Sequence, residues 1–111
     1  MAVAVFTRFN TLSPMQYDEV IASMQLDVDP PVGALLHIAT GSSDAIEVSE
    51  IWRTRETFET YLDQRLRPAL ERHHVHGEPE VRIVPLHNLY IPDLDSVERM
   101  GAVSTAAVAF A

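Results

Sequence analysis

The chain has 111 residues, of which 47% are hydrophobic, and its formal net charge is −8. All eight basic residues are arginine and there is no cysteine, which excludes lysine Schiff bases, thiolate catalysis, disulfides and cysteine-ligated metals. The negative charge disfavours nucleic-acid and anionic-membrane partners, and no apolar run approaches the ~20 residues of a membrane span. Because no signal peptide opens the sequence, we expect a cytoplasmic globular protein.

The first half of the chain predicts a strand, a helix and a hairpin. Residues 2–9 are rich in strand formers and apolar enough for a central strand. Ser13, with Pro14 and Gln16 after it, is typical of a capping box that opens a helix, and this helix should end near Leu26. Residues 34–40 and 45–53 are then predicted to be two strands. The composition of residues 41–44 is typical of a hairpin loop, which would join these strands with four residues.

The second half predicts a long helix and a last strand. Thr54 can cap a helix that runs to about residue 74, with a kink or a restart near Arg67 because Pro68 lacks a backbone donor. Gly77 is the expected stop. Residues 80–90 form a fourth strand, and Pro85 places it at a sheet edge or at a bulge. The apolar stripe of the long helix consists of Phe58, Tyr61, Leu62, Leu66, Ala69 and Leu70.

The order strand, helix, strand, strand, helix, strand predicts an α+β fold of the ferredoxin-like βαββαβ type. Right-handed crossovers place the first and third strands in the centre of an antiparallel sheet, with both helices on one face. Since nothing in the chain covers the other face, we expect a homodimer that packs two sheets together.

The remaining residues suggest an extension to this domain. Residues 1–92 complete the predicted barrel domain, and Asp93 can cap a short helix that ends near Met100, with Gly101 as its stop. Residues 102–111 are small, apolar and uncharged. We therefore expect the extension, residues 93–111, to pack on the partner subunit.

Several segments together carry a family resemblance. The strand that ends in Glu50-Ile51-Trp52, Phe58 after it, the run from Arg65 to Leu70 and the closing Pro85-Leu86-His87-Asn88-Leu89 resemble the dimeric α+β barrel superfamily, in its antibiotic-biosynthesis-monooxygenase-like branch. The resemblance implies a homodimer with a pocket between sheet and helices. Members of the superfamily that the chain resembles include cofactor-free quinol monooxygenases, haem-degrading enzymes and polyketide cyclases. Trp52 matches a tryptophan that the monooxygenases use, whereas Leu62 stands where haem-degrading members have a ligand histidine.

The hairpin gives one sharper hypothesis about chemistry. If the loop has four residues, Thr40 opposes Ala45, and His37 shares a sheet face with Glu50 and Trp52 as a diagonal neighbour of the carboxylate. An odd loop would separate them. A carboxylate buried beside an imidazole is a candidate acid–base pair, so we predict His37 and Glu50 as catalytic residues; the alternative is a hydrogen bond that only holds the strand edge.

Three further residues are candidates for substrate binding. Trp52 either lines a pocket or fills the core, and Tyr61 either lines the pocket or has a structural role. His87, on the predicted fourth strand, lies three strand spacings (~14 Å) from His37, so it either binds substrate or holds the strand end or the dimer contact. His73, His74 and His76 lack the companion ligands of a recognisable metal site, and we predict no metal and no cofactor.

Two functions follow from these residues. In the first, the protein is a cofactor-independent enzyme, of monooxygenase or polyketide cyclase type, that acts on an aromatic or polyketide-like small molecule. In the second, it is a non-catalytic binding or assembly domain whose pocket is filled by its own side chains. A pocket of a few hundred Å³ lined by His37, Trp52 and Tyr61 would favour the first.

Overall fold

The computed structural model describes residues 1–42 and 45–100. Four strands and two helical segments follow the predicted order. The elements are β1 (Val3–Phe9), α1 (Pro14–Met24), β2 (Ala34–Gly41), β3 (Ile46–Trp52), α2 (Arg55–Tyr61), a π-helical turn (Leu62–Leu66), α3 (Arg67–Arg72) and β4 (Glu80–Pro85).

The strands form one antiparallel sheet in the order β2-β3-β1-β4. The two central strands are therefore the first and third, as predicted, and Pro85 lies on the edge strand β4, where its missing donor costs no ladder bond. This arrangement is the predicted ferredoxin-like α+β fold. Along β3 the residues that face the helices are Ile46, Val48, Glu50 and Trp52, all buried.

The pairing of β2 with β3 corrects the predicted register. Gly41 lies opposite Ile46 and His37 lies directly opposite Glu50, so the prediction that Thr40 opposes Ala45 is wrong. The connection still contains four residues, 42–45, but it begins one residue later than expected. Because the loop length remains even, His37 keeps its predicted face and becomes the direct rather than the diagonal neighbour of Glu50. A register shift between Ala34 and Leu36 breaks the alternation only at the start of β2.

Capping boxes begin both helical segments. The Ser13 hydroxyl accepts from the Gln16 amide, and the Gln16 side chain accepts from the Ser13 amide, as predicted. Thr54 and Thr57 make the equivalent reciprocal bonds at α2. The ends differ from the predictions by about two residues: α1 ends at Met24, and α3 ends at Arg72 rather than near residue 74. The six residues of the predicted long-helix stripe are all buried.

The long helix is interrupted as Pro68 requires. The backbone amide of Arg67 bonds to the carbonyl of Leu62, five residues back, which closes a π-helical turn. Helix α3 then restarts with Pro68 in its first turn, where a missing backbone donor is tolerated. The expected restart near Arg67 is therefore confirmed, and the π turn is the local form that it takes.

Arg65, inside the π turn, joins the two helical segments. Its guanidinium donates to the carbonyl oxygens of Met24, at 2.8 Å, and Asp29, at 2.7 Å. The carbonyl groups at the C-terminus of a helix have no hydrogen-bond partner inside that helix, and the Arg65 guanidinium is such a partner for Met24, the last residue of α1. The side chain therefore fixes the end of α1 over the long helix.

Replacing Arg65 by alanine should lower the free energy of unfolding by about 2–3 kcal/mol, because two charge-assisted hydrogen bonds to backbone carbonyls are lost. Arg55→Ala is the matched control: Arg55 pairs with Glu59 on the exposed face of α2 at 4.0 Å, and such a pair contributes under about 1 kcal/mol. Urea unfolding followed by circular dichroism gives both values. Equal losses in the two variants would contradict this role of Arg65.

The face of the sheet opposite the helices carries apolar and polar side chains in similar number. Phe6 and Ile38 are exposed on it, and the guanidinium of Arg82 lies 4.6 Å from the centre of the Phe6 ring. Leu36, Ser49 and Val84 are partly buried there. Ala4 and Ile51 on the same face are buried, so the described chain leaves only part of this face open to solvent.

The segment after the sheet differs from the predicted fourth strand. Strand β4 ends at Pro85 instead of residue 90, so His87 lies on an exposed connection rather than on the sheet. Residues 94–100 are helical, and Asp93 accepts from the Ser96 amide at 3.1 Å, which confirms the predicted cap. The expected stop at Gly101 and the packing of residues 102–111 lie outside the described residues. No helix that the structure describes is long and apolar enough to cross a bilayer.

Candidate active site

His37 joins a helix, an edge strand and a central strand through hydrogen bonds at both of its ring nitrogens. Nδ1 lies 2.8 Å from Oε2 of Glu50, and Nε2 lies 2.5 Å from the hydroxyl of Tyr17. Glu50 is only 7% exposed, whereas the His37 side chain is 36% exposed. A buried carboxylate, an imidazole and a phenol thus form a continuous chain that ends near the surface, and we call these three residues the Tyr17–His37–Glu50 chain.

Local structure explains why these side chains meet. Direct pairing of His37 with Glu50 across β2 and β3 brings their side chains together on the helix-covered face. Tyr17 stands in the first turn of α1, and its hydroxyl points at the edge of the imidazole, with 6.3 Å between the ring centres and 19° between the ring planes. The predicted approach of His37 to Glu50 on one face is therefore confirmed. Their catalytic role remains a prediction.

A small cavity adjoins the chain beneath the helices. It is lined by the three chain residues together with Thr7, Phe9, Ile21, Val48, Tyr61 and Leu66, and its volume is about 10 Å³. That volume holds about one water molecule. A pocket of a few hundred Å³, which would favour the enzyme, is therefore not present at this place in the described residues.

Trp52 packs in the core beside this cavity and does not line it. The indole is 1% exposed, and its ring lies 5.6 Å from Phe58 and 5.1 Å from Tyr61, measured between centres. Its Nε1 has no hydrogen-bond partner among the described residues. Trp52 thus fills volume in the core, which is one of the two alternatives given for it above.

We call the Tyr17–His37–Glu50 chain and the other residues that line the cavity the cluster. The other predicted site residues divide between this cluster and the surface. Tyr61 lines the cavity with Glu50. His87 lies beyond β4, at the sheet edge opposite β2, so the structure does not bring it to the cluster. His73 Nδ1 bonds to the carbonyl of Ala69, and within residues 1–42 and 45–100 no group of three or more histidine and acidic side chains is placed to hold a metal ion.

Two residues of the cluster escaped sequence reasoning. Tyr17 lies within the predicted first helix, and the hydroxyl at its tip, which needs a partner when buried, is the only sequence signal for it. Thr7 is 2% exposed on β1 and lines the cavity, and its hydroxyl has no partner among the residues described. A polar residue amid the apolar run of β1 was the only signal for it.

Burial perturbs the phenols of this cluster. It raises the pKa of Tyr17 above its ordinary value of 10.0, and the Glu50 and Asp18 carboxylates raise it further. Burial likewise raises the pKa of Tyr61, and the Glu50 carboxylate raises it further. Both phenols therefore stay protonated at neutral pH and keep their hydroxyl donors.

The stability of the fold should fall as the pH rises above about 10. Above this pH the unfolded chain releases phenolic protons that Tyr17 and Tyr61 retain in the folded protein. The raised pKa of each phenol therefore contributes its full stabilisation below about pH 10, and this contribution is lost as the pH rises further. The slope should reach about 1.4 kcal/mol per pH unit for each phenol. The absence of lysine and cysteine simplifies the measurement, which is urea unfolding at several alkaline pH values. Tyr17→Phe should reduce the slope, and an unchanged slope would contradict the prediction.

Fold and cluster together define a class: a ferredoxin-like α+β protein with an acid–base cluster between the sheet and its first helix. Comparison with solved structures places the fold more narrowly. SnoaB, a cofactor-independent oxygenase from Streptomyces nogalater, superposes with a TM-score of 0.61 at 16% identity, over 82% of this chain and 97% of that one. The chain thus has the fold of antibiotic-biosynthesis-monooxygenase-like proteins, as the sequence resemblance implied.

Two further structures have the same fold. A candidate antibiotic biosynthesis monooxygenase from Chloroflexus aurantiacus gives a TM-score of 0.59 at 16% identity, over 82% of this chain and 98% of that one. NE2512 from Nitrosomonas europaea, a protein of unknown function, gives 0.64 at 15% identity, over 82% and 94%. No family model and no curated protein matches the chain.

Proposed function

We propose that the protein binds a small aromatic or polyketide-like molecule and transforms it without a cofactor, with His37 and Glu50 as the acid–base pair. The observation that carries this proposal is the 2.8 Å bond from His37 to the buried Glu50 on the helix-covered face. A carboxylate that holds an imidazole in one orientation and tautomer is the usual support of a histidine general base.

The chemistry of this pair is proton transfer. It can remove a proton from an acidic C–H or from a phenol and return the proton elsewhere on the product. Such a step begins an aldol-type cyclisation, and it also produces the electron-rich anion that reacts with oxygen in a cofactor-free oxygenation. The description of SnoaB as a cofactor-independent oxygenase supports the second reaction.

The ligand's approach follows from the exposure of the site. Because the cavity beneath the helices holds about one water molecule, an aromatic ligand does not fit there in this conformation. The partly exposed imidazole lies on the edge strand β2. The proposed ligand therefore reaches the acid–base chain from this edge and not through the core.

One observation favours a second candidate function. Trp52 is fully packed and the cavity is small, as expected for a non-catalytic binding or assembly domain with a filled core. In that case the His37–Glu50 bond only holds the edge strand to its neighbour.

Ligand binding and oxygen uptake distinguish the two candidates. The purified protein is titrated with phenols, 1,4-hydroquinones and enolisable aromatic ketones by calorimetry, and oxygen consumption is followed with an electrode. Binding with turnover supports the enzyme. Binding without turnover, or no binding to any of these compounds, supports the non-catalytic domain.

The assembly that we propose is a homodimer formed through the helix-free face of the sheet, with residues 93–111 packed on the partner. The exposed Phe6 and Ile38 on this face support it, because an apolar patch on a sheet is seldom left in water. A stable interface would bury more than about 1,000 Å² in total.

Light scattering at micromolar concentration should give twice the mass of one chain. Ile38→Glu should shift the protein to a monomer, because it places a charge in the apolar contact. Val28→Glu is the matched control: Val28 is exposed on the loop after α1, away from the sheet, and this variant should remain dimeric. A folded monomer of the unmodified protein would refute the proposed assembly.

A further inference from the structure

Both ring nitrogens of His37 are already engaged. Nδ1 bonds to Glu50 at 2.8 Å and Nε2 bonds to the Tyr17 hydroxyl at 2.5 Å. An imidazole acts as a general base through a nitrogen lone pair that reaches the substrate. In this structure the Tyr17 oxygen occupies that position, so a ligand cannot contact Nε2 while the phenol remains in place.

We consider the state in which Glu50 is the carboxylate and His37 is the neutral imidazole. A carboxylate only accepts hydrogen bonds, so in this state Nδ1 carries the proton and Nε2 is the acceptor. The Tyr17 hydroxyl then donates to Nε2. This leaves the lone pairs of the Tyr17 oxygen as the outermost acceptor of the Tyr17–His37–Glu50 chain.

We infer that Tyr17 is a further catalytic residue: its hydroxyl contacts the ligand and relays the ligand's proton to His37. This inference rests on the proposed function. In the step, the ligand C–H or O–H bond breaks and a new O–H bond forms on Tyr17, while the original Tyr17 proton passes to Nε2. The products are the ligand anion and an imidazolium paired with Glu50. The reverse transfer returns the proton to the product, so no oxidant or leaving group is needed.

The position of Tyr17 distinguishes it from Tyr61, the other phenol of the cluster. Tyr61 is 5% exposed and lies beneath the helices, and no hydrogen bond joins it to His37 in the described part of the chain. Tyr17 is partly exposed on the first turn of α1, so a ligand at the sheet edge meets its hydroxyl. The raised pKa of Tyr17 keeps this hydroxyl protonated until the imidazole accepts its proton.

4-Nitrophenol is a suitable probe because its absorbance reports its own ionisation. The probe is bound to the protein at a pH at which the free compound is protonated, and its dissociation constant and ionised fraction are measured for the unmodified protein, Tyr17→Phe, His37→Ala and Tyr90→Phe. Phenylalanine keeps the aromatic ring at this position and removes only the relaying oxygen. Tyr90→Phe is the matched control, since Tyr90 is 79% exposed beyond β4.

We expect Tyr17→Phe to bind the probe within a few-fold of the unmodified protein and to ionise it at least tenfold less, as His37→Ala does, whereas Tyr90→Phe changes neither quantity. If Tyr17→Phe ionises the bound probe as well as the unmodified protein while His37→Ala does not, the ligand contacts His37 directly and the relay is refuted alone. If the unmodified protein does not bind the probe, or binds it without ionisation, the proposed function and the relay are both refuted.

Discussion

Replacing His37 by alanine is expected to lower turnover by about 10²–10⁴-fold, the range attributed to a general base, and to leave the fold and the proposed dimer intact. His37 is partly exposed on an edge strand, so its removal creates no closed cavity. The measurement is kcat on whichever compound of the oxygen-uptake panel is turned over, with circular dichroism and light scattering on the same samples.

His76→Ala is the control for this variant, because His76 is an exposed histidine after α3 that no proposal uses. A His37→Ala protein with unchanged kcat would remove the imidazole from the mechanism. A variant that loses turnover only because it unfolds would be recognised by its circular dichroism, and Glu50→Gln then provides the second test, since it removes the charge of the partner at nearly constant volume.

The second large effect concerns Trp52, whose replacement by alanine should lower the free energy of unfolding by about 3–5 kcal/mol. The indole is 1% exposed and packs against two aromatic rings, so its removal leaves a cavity that the surrounding rings cannot fill. This loss is a large share of the 5–15 kcal/mol typical of a domain. Urea unfolding measures it.

A comparison with phenylalanine separates the effect of volume from that of the indole nitrogen. Because Nε1 has no hydrogen-bond partner among the described residues, Trp52→Phe removes an unpaired buried donor, and this gain offsets part of the packing loss. Trp52→Phe should therefore cost much less than Trp52→Ala. Met15→Ala, at an exposed position on α1, should stay within about 0.5 kcal/mol. A loss at Trp52 no larger than at Met15 would contradict the core role.

The sequence sufficed for the fold because its strongest signals are periodic and local. The stripe of the long helix, the Ser13 capping box and the position of Pro68 each act within a few residues, and the structure agrees with all three. Pro85 likewise assigned β4 to an edge, although the strand ends there and leaves His87 off the sheet.

Only the part of the site that depends on the alternation of side chains along β2 and β3 could be predicted from the sequence. An even hairpin loop places His37 and Glu50 on one face whatever the register, so that prediction survived the register error. Tyr17 and Thr7 belong to other elements, and their distances from His37 and Glu50 depend on how α1 packs over the sheet. No sequence spacing encodes that packing. The size of the cavity was missed for the same reason, because it depends on how completely neighbouring side chains fill the space.

The three members of the Tyr17–His37–Glu50 chain lie on elements that differ in local stability. Glu50 is on β3, which is hydrogen-bonded to a strand on each side, His37 is on the edge strand β2, and Tyr17 is on a helix that lies over the sheet. Partial unfolding proceeds through the least stable units first. Fluctuations that lift the first turn of α1 would therefore separate Tyr17 from the imidazole while Glu50 keeps its place, so local opening would interrupt proton transfer through Tyr17 before it disturbs the His37–Glu50 hydrogen bond.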